Sequence, residues 1–177
     1  WCCLRKGKLM NIVLMVIDTS NIKFCLGKSF ENGHMDYPKY KENALGEDSL
    51  IRGIAYGRSS ENNVEHGFKH ALQQLNFQTK FKPASKKRAG SGTDVEKWVP
   101  WNVQITIDVI NAVNTGKIDK VIIGSSEPEL VHLIEELASR SIPVTVYACG
   151  IPKSFKAAGA TCIEITEDML YSKKETE

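Results

Sequence analysis

The run Asn11-Ile-Val-Leu-Met-Val-Ile17, closed by Asp18-Thr-Ser-Asn21, decides how the rest of the chain is read. An unbroken apolar run with no polar alternation is the pattern of a strand buried on both faces, as in the interior of a parallel sheet. It is far shorter than the ~20 residues of a membrane span. It ends in Asp18 rather than in a small-residue cleavage site, so no signal peptide is expected. A carboxylate at a strand's C-terminal end points into the crevice where open α/β sheets bind ligands. Asp is also a favoured helix N-cap and Asx-turn residue, and position alone leaves both readings open.

Outward from this strand, short apolar runs alternate with helix-like stretches, the signature of a parallel sheet covered by helices. The expected strands are Asn11–Ile17, Leu50–Tyr56, Phe77–Phe81, Lys120–Ile123, Pro143–Tyr147 and Thr161–Ile165. The expected helices are Tyr37–Leu45, Asn62–Leu75, Trp101–Asn114, Glu127–Arg140 and Lys153–Ala158. The expectation is therefore one α/β domain, a mostly parallel, doubly wound sheet of five or six strands with helices on both faces. A length of 177 residues fits a single domain. Met10 is expected to open the folded domain, which runs over 10–171, with residues 1–9 a leader or appended tail and 172–177 a C-terminal tail.

The segment Lys82-Pro-Ala-Ser-Lys-Lys-Arg-Ala-Gly-Ser-Gly-Thr93 breaks the alternation and is expected to be part of a basic, structureless connection over 82–99. Long connections of this kind are usually functional or disordered. The net charge is only +2, so nucleic-acid binding would need a local patch, and Lys82, Lys86, Lys87 and Arg88 supply one. Such a run is also the ordinary composition of a solvated loop. The five cysteines form no CxxC pair and no Cys/His zinc spacing, which fits idle thiols in a reducing cytosol. His66 and His70, spaced i,i+4 without the glutamate of a zinc-protease motif, are read as a solvated helix face.

Two further stretches carry carboxylates. In Gly124-Ser125-Ser126-Glu127-Pro128-Glu129 a strand gives way to a helix whose first turn holds two glutamates. A capping box from Ser126 to Glu129, with Pro128 in the first turn, explains them structurally. The pair also opposes an anion at the Gly-Ser-Ser turn and suits a cation better. In Trp101-Asn102-Val-Gln-Ile-Thr-Ile-Asp108 an aspartate interrupts an apolar helix face. Burying its charge unpaired is expensive, so a Lys, an Arg or a metal should face it. Asn102 and Asp108 are six residues and hence about 120° apart on a helix. If Asp18, Asp108, Glu127 and Glu129 gather at one sheet edge, two of them ~5 Å apart repel by roughly 3 kcal/mol at an effective dielectric of 20. Either one protonates or a hard divalent ion binds.

The order of these motifs resembles the NYN (PIN-like) nucleases of the LabA type. Those have a strand-end Asp-x-x-Asn, a Trp-Asp-Val-x-(aliphatic)-x-x-Asp helix and a Ser-(Gly/Ser)-Asp-x-Asp-(Phe/Leu) turn. The likeness covers about Met10 to Leu170, including Ile142-Pro-Val-Thr-Val-Tyr-Ala-Cys-Gly and Phe155-Lys-Ala-Ala-Gly-Ala-Thr-Cys-Ile-Glu. It implies a PIN-like sheet and a Mg²⁺- or Mn²⁺-dependent RNA phosphodiesterase. Asp18, Asn21, Asp108 and Glu127 would be the catalytic set, and Asp18, Asp108, Glu127 and Glu129 the metal ligands. Asn102, Ser125 and Ser126 would support them. RNA, single-stranded in this reading, would be the partner, with no membrane and a homodimer left open. Three positions depart from the family pattern: Asn102, Glu127 and Glu129 each stand where the family usually has Asp. Those departures favour a second expectation, a degenerate NYN domain that binds RNA or a protein without cutting. A small-molecule enzyme is disfavoured, because the chain has no Walker lysine loop, no GxGxxG after a strand and no nucleophile elbow.

Overall fold

Six strands, β1 (Ile12–Asp18), β2 (Ser49–Ser59), β3 (Phe77–Pro83), β4 (Lys120–Gly124), β5 (Val144–Ala148) and β6 (Thr161–Glu164), form one sheet in the order β6-β5-β4-β1-β2-β3. Every pairing in it is parallel. This computed structural model describes residues 4–5, 8–31, 33–59, 63–83, 85–88, 94–97 and 100–171. The helices are α1 (Thr19–Ser29), α2 (Tyr37–Leu45), α3 (Asn63–Gln74), α4 (Asn102–Val113), α5 (Val131–Ser139) and α6 (Lys153–Ala157). No helix of the described residues is long and apolar enough to cross a membrane.

Strand alternation sorts the side chains onto two faces. Val13, Met15 and Ile17 of β1 pack with Ile22 and Leu26 of α1, Tyr40 and Ala44 of α2 and Leu72 of α3. Leu14 and Val16 pack with Ile105 and Val109 of α4, Leu133, Ile134 and Leu137 of α5 and Phe155 of α6. Val13 to Ile17 are all fully buried, as the unbroken apolar run requires. The chain builds outward from β1 to β3, then crosses back through α4 to β4 on the other side of β1. The direction of strand order therefore reverses between β1 and β4, and this switch point opens a crevice at the carboxyl ends of those two strands.

The sheet agrees with the expected α/β class, all parallel and six-stranded. Two elements depart from expectation. Helix α1 was not foreseen: its buried apolar side chains are only Ile22 and Leu26, one turn apart, while Phe24 is exposed under the Lys28 ammonium. So narrow a stripe gives little helical periodicity. The connection after β3 is not structureless either, since Ser85–Arg88 pairs antiparallel with Asp94–Lys97. The backbone register sets Lys86 opposite Glu96 and Arg88 opposite Asp94, a strand pair that apolar periodicity does not reveal. At the other end of the chain, Leu4–Arg5 pairs with Lys8–Leu9.

Gly124 closes β4 under close approach from both neighbours. A Cβ there would stand 2.7 Å from Ile17 Cγ2 and against the Tyr40 hydroxyl, which donates to Tyr147 O at 2.7 Å. Gly124→Ala is expected to cost about 1–3 kcal/mol through overpacking, read as a lowered thermal midpoint. In a Tyr40→Phe background the same change should cost less, because the obstructing oxygen is gone. A double-mutant cycle with no coupling would contradict this packing.

Candidate active site at the switch point of the sheet

Asp18 is fully buried at the end of β1, and its two oxygens have different surroundings. Oδ1 accepts the backbone N–H groups of Ser20 and Asn21, both at 3.0 Å, which starts α1. Oδ2 has no hydrogen-bond partner, alone in this among the buried side-chain polar atoms of the described residues. The helix-cap reading of Asp18 is met by Oδ1, while Oδ2 is left buried and without a partner at the carboxyl end of β1. Burial pushes its carboxyl up to about 6, against the two backbone hydrogen bonds and with help from the nearby Glu127 charge.

Three residues into α1, Asn21 reaches across the crevice. Its Nδ2 donates to Glu127 Oε1 at 2.9 Å, and its Oδ1 accepts from Ser126 N at 2.9 Å and Ser126 Oγ at 3.2 Å. Ser125 Oγ accepts Glu127 N at 3.3 Å, and Ser126 Oγ lies 3.3 Å from Cys25 Sγ. The capping box is not formed. Glu127 is extended and caps nothing, and a 3₁₀ turn, Pro128–Leu130, precedes α5. Ser126 is turned instead toward Asn21. The Gly-Ser-Ser turn is thus held to α1 by a side-chain amide, and Glu127 is fixed beside Asp18.

Asp108 lies on α4, nearly buried, in a second polar group. Tyr56 Oη and Lys80 Nζ each donate to its Oδ2 at 2.7 Å, and Gln104 Nε2 donates to Oδ1 at 3.2 Å. Burial works against the charge, but the bonds from Lys80, Tyr56 and Gln104 outweigh it and hold the carboxyl below its ordinary value. Of the partners expected for Asp108, a lysine faces it. Sheet register sets this up, because Asp18 pairs with Tyr56 on β2 and Tyr56 with Lys80 on β3. Behind them Trp101 packs on the Tyr56 ring with centroids 5.2 Å apart and donates Nε1–H to Gly57 O at 3.2 Å. Lys82 Nζ lies 3.9 Å from the centroid of the Trp101 ring. At Gly57 a Cβ would meet Phe81 at 2.6 Å and Thr19 Oγ1 at 2.8 Å, so no larger residue fits between β3 and the start of α1.

The anticipated residues therefore divide. Asp18, Asn21, Ser125, Ser126 and Glu127 come together at the switch point. Asp108 joins Tyr56, Lys80 and Gln104. Glu129 is exposed on the 3₁₀ turn, and Asn102 is half-buried at the start of α4, its Oδ1 accepting Val103 N at 2.9 Å. Lys86, Lys87 and Arg88 lie on the hairpin strand, and of them only the backbone pairing is described. His66 and His70 stand exposed on α3. Lys80, Tyr56 and Gln104 were not anticipated as partners of Asp108. Gln104 sits four residues before it, one helical turn away. Tyr56 and Lys80 reach it only through strand register, which no local pattern carries.

Among the described residues no group of three or more His, Cys, Asp or Glu side chains could hold a metal ion. The donors still fit a hard divalent cation. Mg²⁺ keeps several waters and is commonly bound through one or two carboxylates plus substrate phosphates rather than by an all-protein cage. Asp18 supplies an anionic oxygen that lacks any partner, and Glu127 supplies a second carboxylate beside it.

A family model described as NYN domain matches residues 13–167. A crystal structure of a protein of unknown function from Vibrio parahaemolyticus is similar, with a TM-score of 0.75 at 23% identity over 92% of this chain and 97% of that one. That likeness shows the fold. Among curated proteins no relative matches.

The raised carboxyl of Asp18 has a thermodynamic signature. With a folded value of about 6 against an ordinary 3.8, the native state binds a proton more tightly than the unfolded chain, so stability falls as pH rises from about 4 through 6. Asp18→Asn keeps the capping oxygen and removes the charge. It is expected to stabilise the ion-free protein by about 1–3 kcal/mol at pH 8, with the gain shrinking below pH 6 and gone near pH 4. Denaturant titrations at several pH values check this, and a variant less stable than wild type at pH 8 would refute it.

Proposed function

The chain belongs to the NYN domain family, and we propose on that premise that it is a divalent-metal-dependent ribonuclease whose ion sits at Asp18 and Glu127. The family places it in the PIN-like nuclease superfamily. The observation that carries the finer reading is the partnerless, buried Oδ2 of Asp18 at the switch point. An acceptor left without a partner costs about 1–3 kcal/mol or more if charged, and a cation offsets that cost.

Each residue has a definable task in this reading. Oδ1 of Asp18 is pinned by two backbone N–H groups, which would hold the carboxylate still while Oδ2 takes the ion. Asn21 holds Glu127 by one oxygen and leaves the other for a ligand. Glu127, half-exposed beside Asp18, would accept a proton from water. Bound Mg²⁺ or Mn²⁺ would supply Lewis-acid charge at the phosphate and acidify a coordinated water. Lys82, seated on Trp101, holds positive charge at the end of β3, where single-stranded RNA would enter. Lys86, Lys87 and Arg88, on the hairpin that follows, would add phosphate contacts.

One observation favours the non-cutting alternative: Asp108 is already neutralised by Lys80, and Asn102 carries no charge. Cleavage of labelled single-stranded RNA with Mn²⁺, Mg²⁺ or EDTA decides between them. A nuclease should cut with either ion, stop in EDTA and lose at least ~10²-fold in Asp18→Asn. Saturating ion, at about 100 times its dissociation constant, should raise stability by about 2.7 kcal/mol. If neither wild type nor Asn102→Asp cuts and melts do not shift with either ion, the chain is a binding module. Replacing Lys86, Lys87 and Arg88 by alanine should weaken RNA binding and flatten its log–log salt slope by up to about 0.7 per lost contact. An unchanged slope would assign these residues to an ordinary solvated hairpin.

A further inference from the structure

Two aspartates beside the crevice are chemically alike and held in opposite ways. Asp18 Oδ2 has no partner, whereas Asp108 accepts two donors on Oδ2 and one on Oδ1. A carboxylate has about four lone-pair sites, so Asp108 has only one left. One of its two shortest contacts, at 2.7 Å, comes from a full positive charge, the Lys80 ammonium. That ammonium is delivered by β3, whose register places Lys80 level with Tyr56 and, one strand further, with Asp18.

We infer that Lys80 is a tethered cation occupying the position at Asp108 where a second divalent ion would otherwise bind, and that it offers its charge to a phosphate oxygen. The phosphate role rests on the nuclease reading above; the occupancy of Asp108 does not. An ammonium has three donors. One holds Asp108, and no other described residue takes the remaining two. With 27% of the Lys80 side chain exposed, a ligand oxygen can reach them without breaking the pair. An ammonium contributes charge and hydrogen bonds but does not acidify water. Removal of the proton from an attacking water therefore falls to the Asp18–Glu127 side. The arrangement also makes Asp108 a positioning residue in this chain: it anchors Lys80 and, through Tyr56, ties α4 to β2.

The test is the number of Mn²⁺ ions bound per full-length chain, measured by titration calorimetry and by the EPR signal of the free ion. Lys80→Met keeps the apolar stem and removes the charge. It is expected to bind one ion more than wild type, and adding Asp108→Asn should return the wild-type number. Lys80→Arg should leave the number unchanged. Asp108→Asn alone needs no change at Lys80 and gives a second measure, expected to leave Mn²⁺ stoichiometry as in wild type. No extra ion in folded Lys80→Met, or an ion lost from wild type on Asp108→Asn, overturns the inference. A wild type that binds no ion while Lys80→Met gains one upholds the tethered cation and overturns the ion at Asp18. The two readings thus fail separately.

Discussion

The buried carboxylate of Asp18 answers two demands at once. One oxygen closes the open end of α1, and this fixes where the helix starts and therefore where Asn21 emerges three residues later. Asn21 then fastens the turn after β4 and sets Glu127. Without the capping oxygen Asn21 loses its position, and Glu127 with it. The other oxygen is left without a partner inside the protein, which raises the carboxyl and weakens the ion-free fold. A strained feature of this kind persists where the surrounding structure over-determines it, and such features cluster at functional sites.

Asp108 shows what the same group does when its surroundings differ. Three donors keep it ionised and still, and its charge is spent on Lys80. The parallel sheet makes this possible by acting as a ruler, carrying Asp18, Tyr56 and Lys80 at one level on adjacent strands. Distances that span 62 residues of sequence, from Asp18 to Lys80, are fixed by two backbone ladders. A helix laid across that row needs only one acid at the correct turn to meet both donors.

The strands were legible because burial on both faces leaves unbroken apolar runs, and their observed limits lie close to those read from sequence. Helix α2 was legible to the residue, with Asp36 capping it and Pro38 in its first turn. Helix α1 was not, because it docks through two apolar side chains and leaves Phe24 exposed, which blurs its periodicity. At the site, the residues of the switch point were legible as strand-end and turn motifs. The gathering of four carboxylates into one cluster was an extrapolation from shared sheet edge to shared contact. Asp108 instead meets the donors that register supplies, and Glu129 is carried outward by the turn that follows Glu127. The need for a positive partner at Asp108 followed from burial; its identity as Lys80 required the strand pairing.

The strand order also sets a timetable. β1 leaves the ribosome before the other strands of the six-stranded sheet, yet it lies in the middle of that sheet, and its β4 neighbour comes much later. Ile12 N–H donates to the Asp119 carboxylate 107 residues further on. At typical synthesis rates that interval lasts roughly 5–20 s. Throughout it, one edge of a strand that is apolar from Ile12 to Ile17 has no hydrogen-bonded neighbour, the kind of surface that invites pairing with another chain. The nascent chain therefore carries an unpaired apolar edge over that window, and the site comes into existence only when β4 and the turn after it close against β1 and α1.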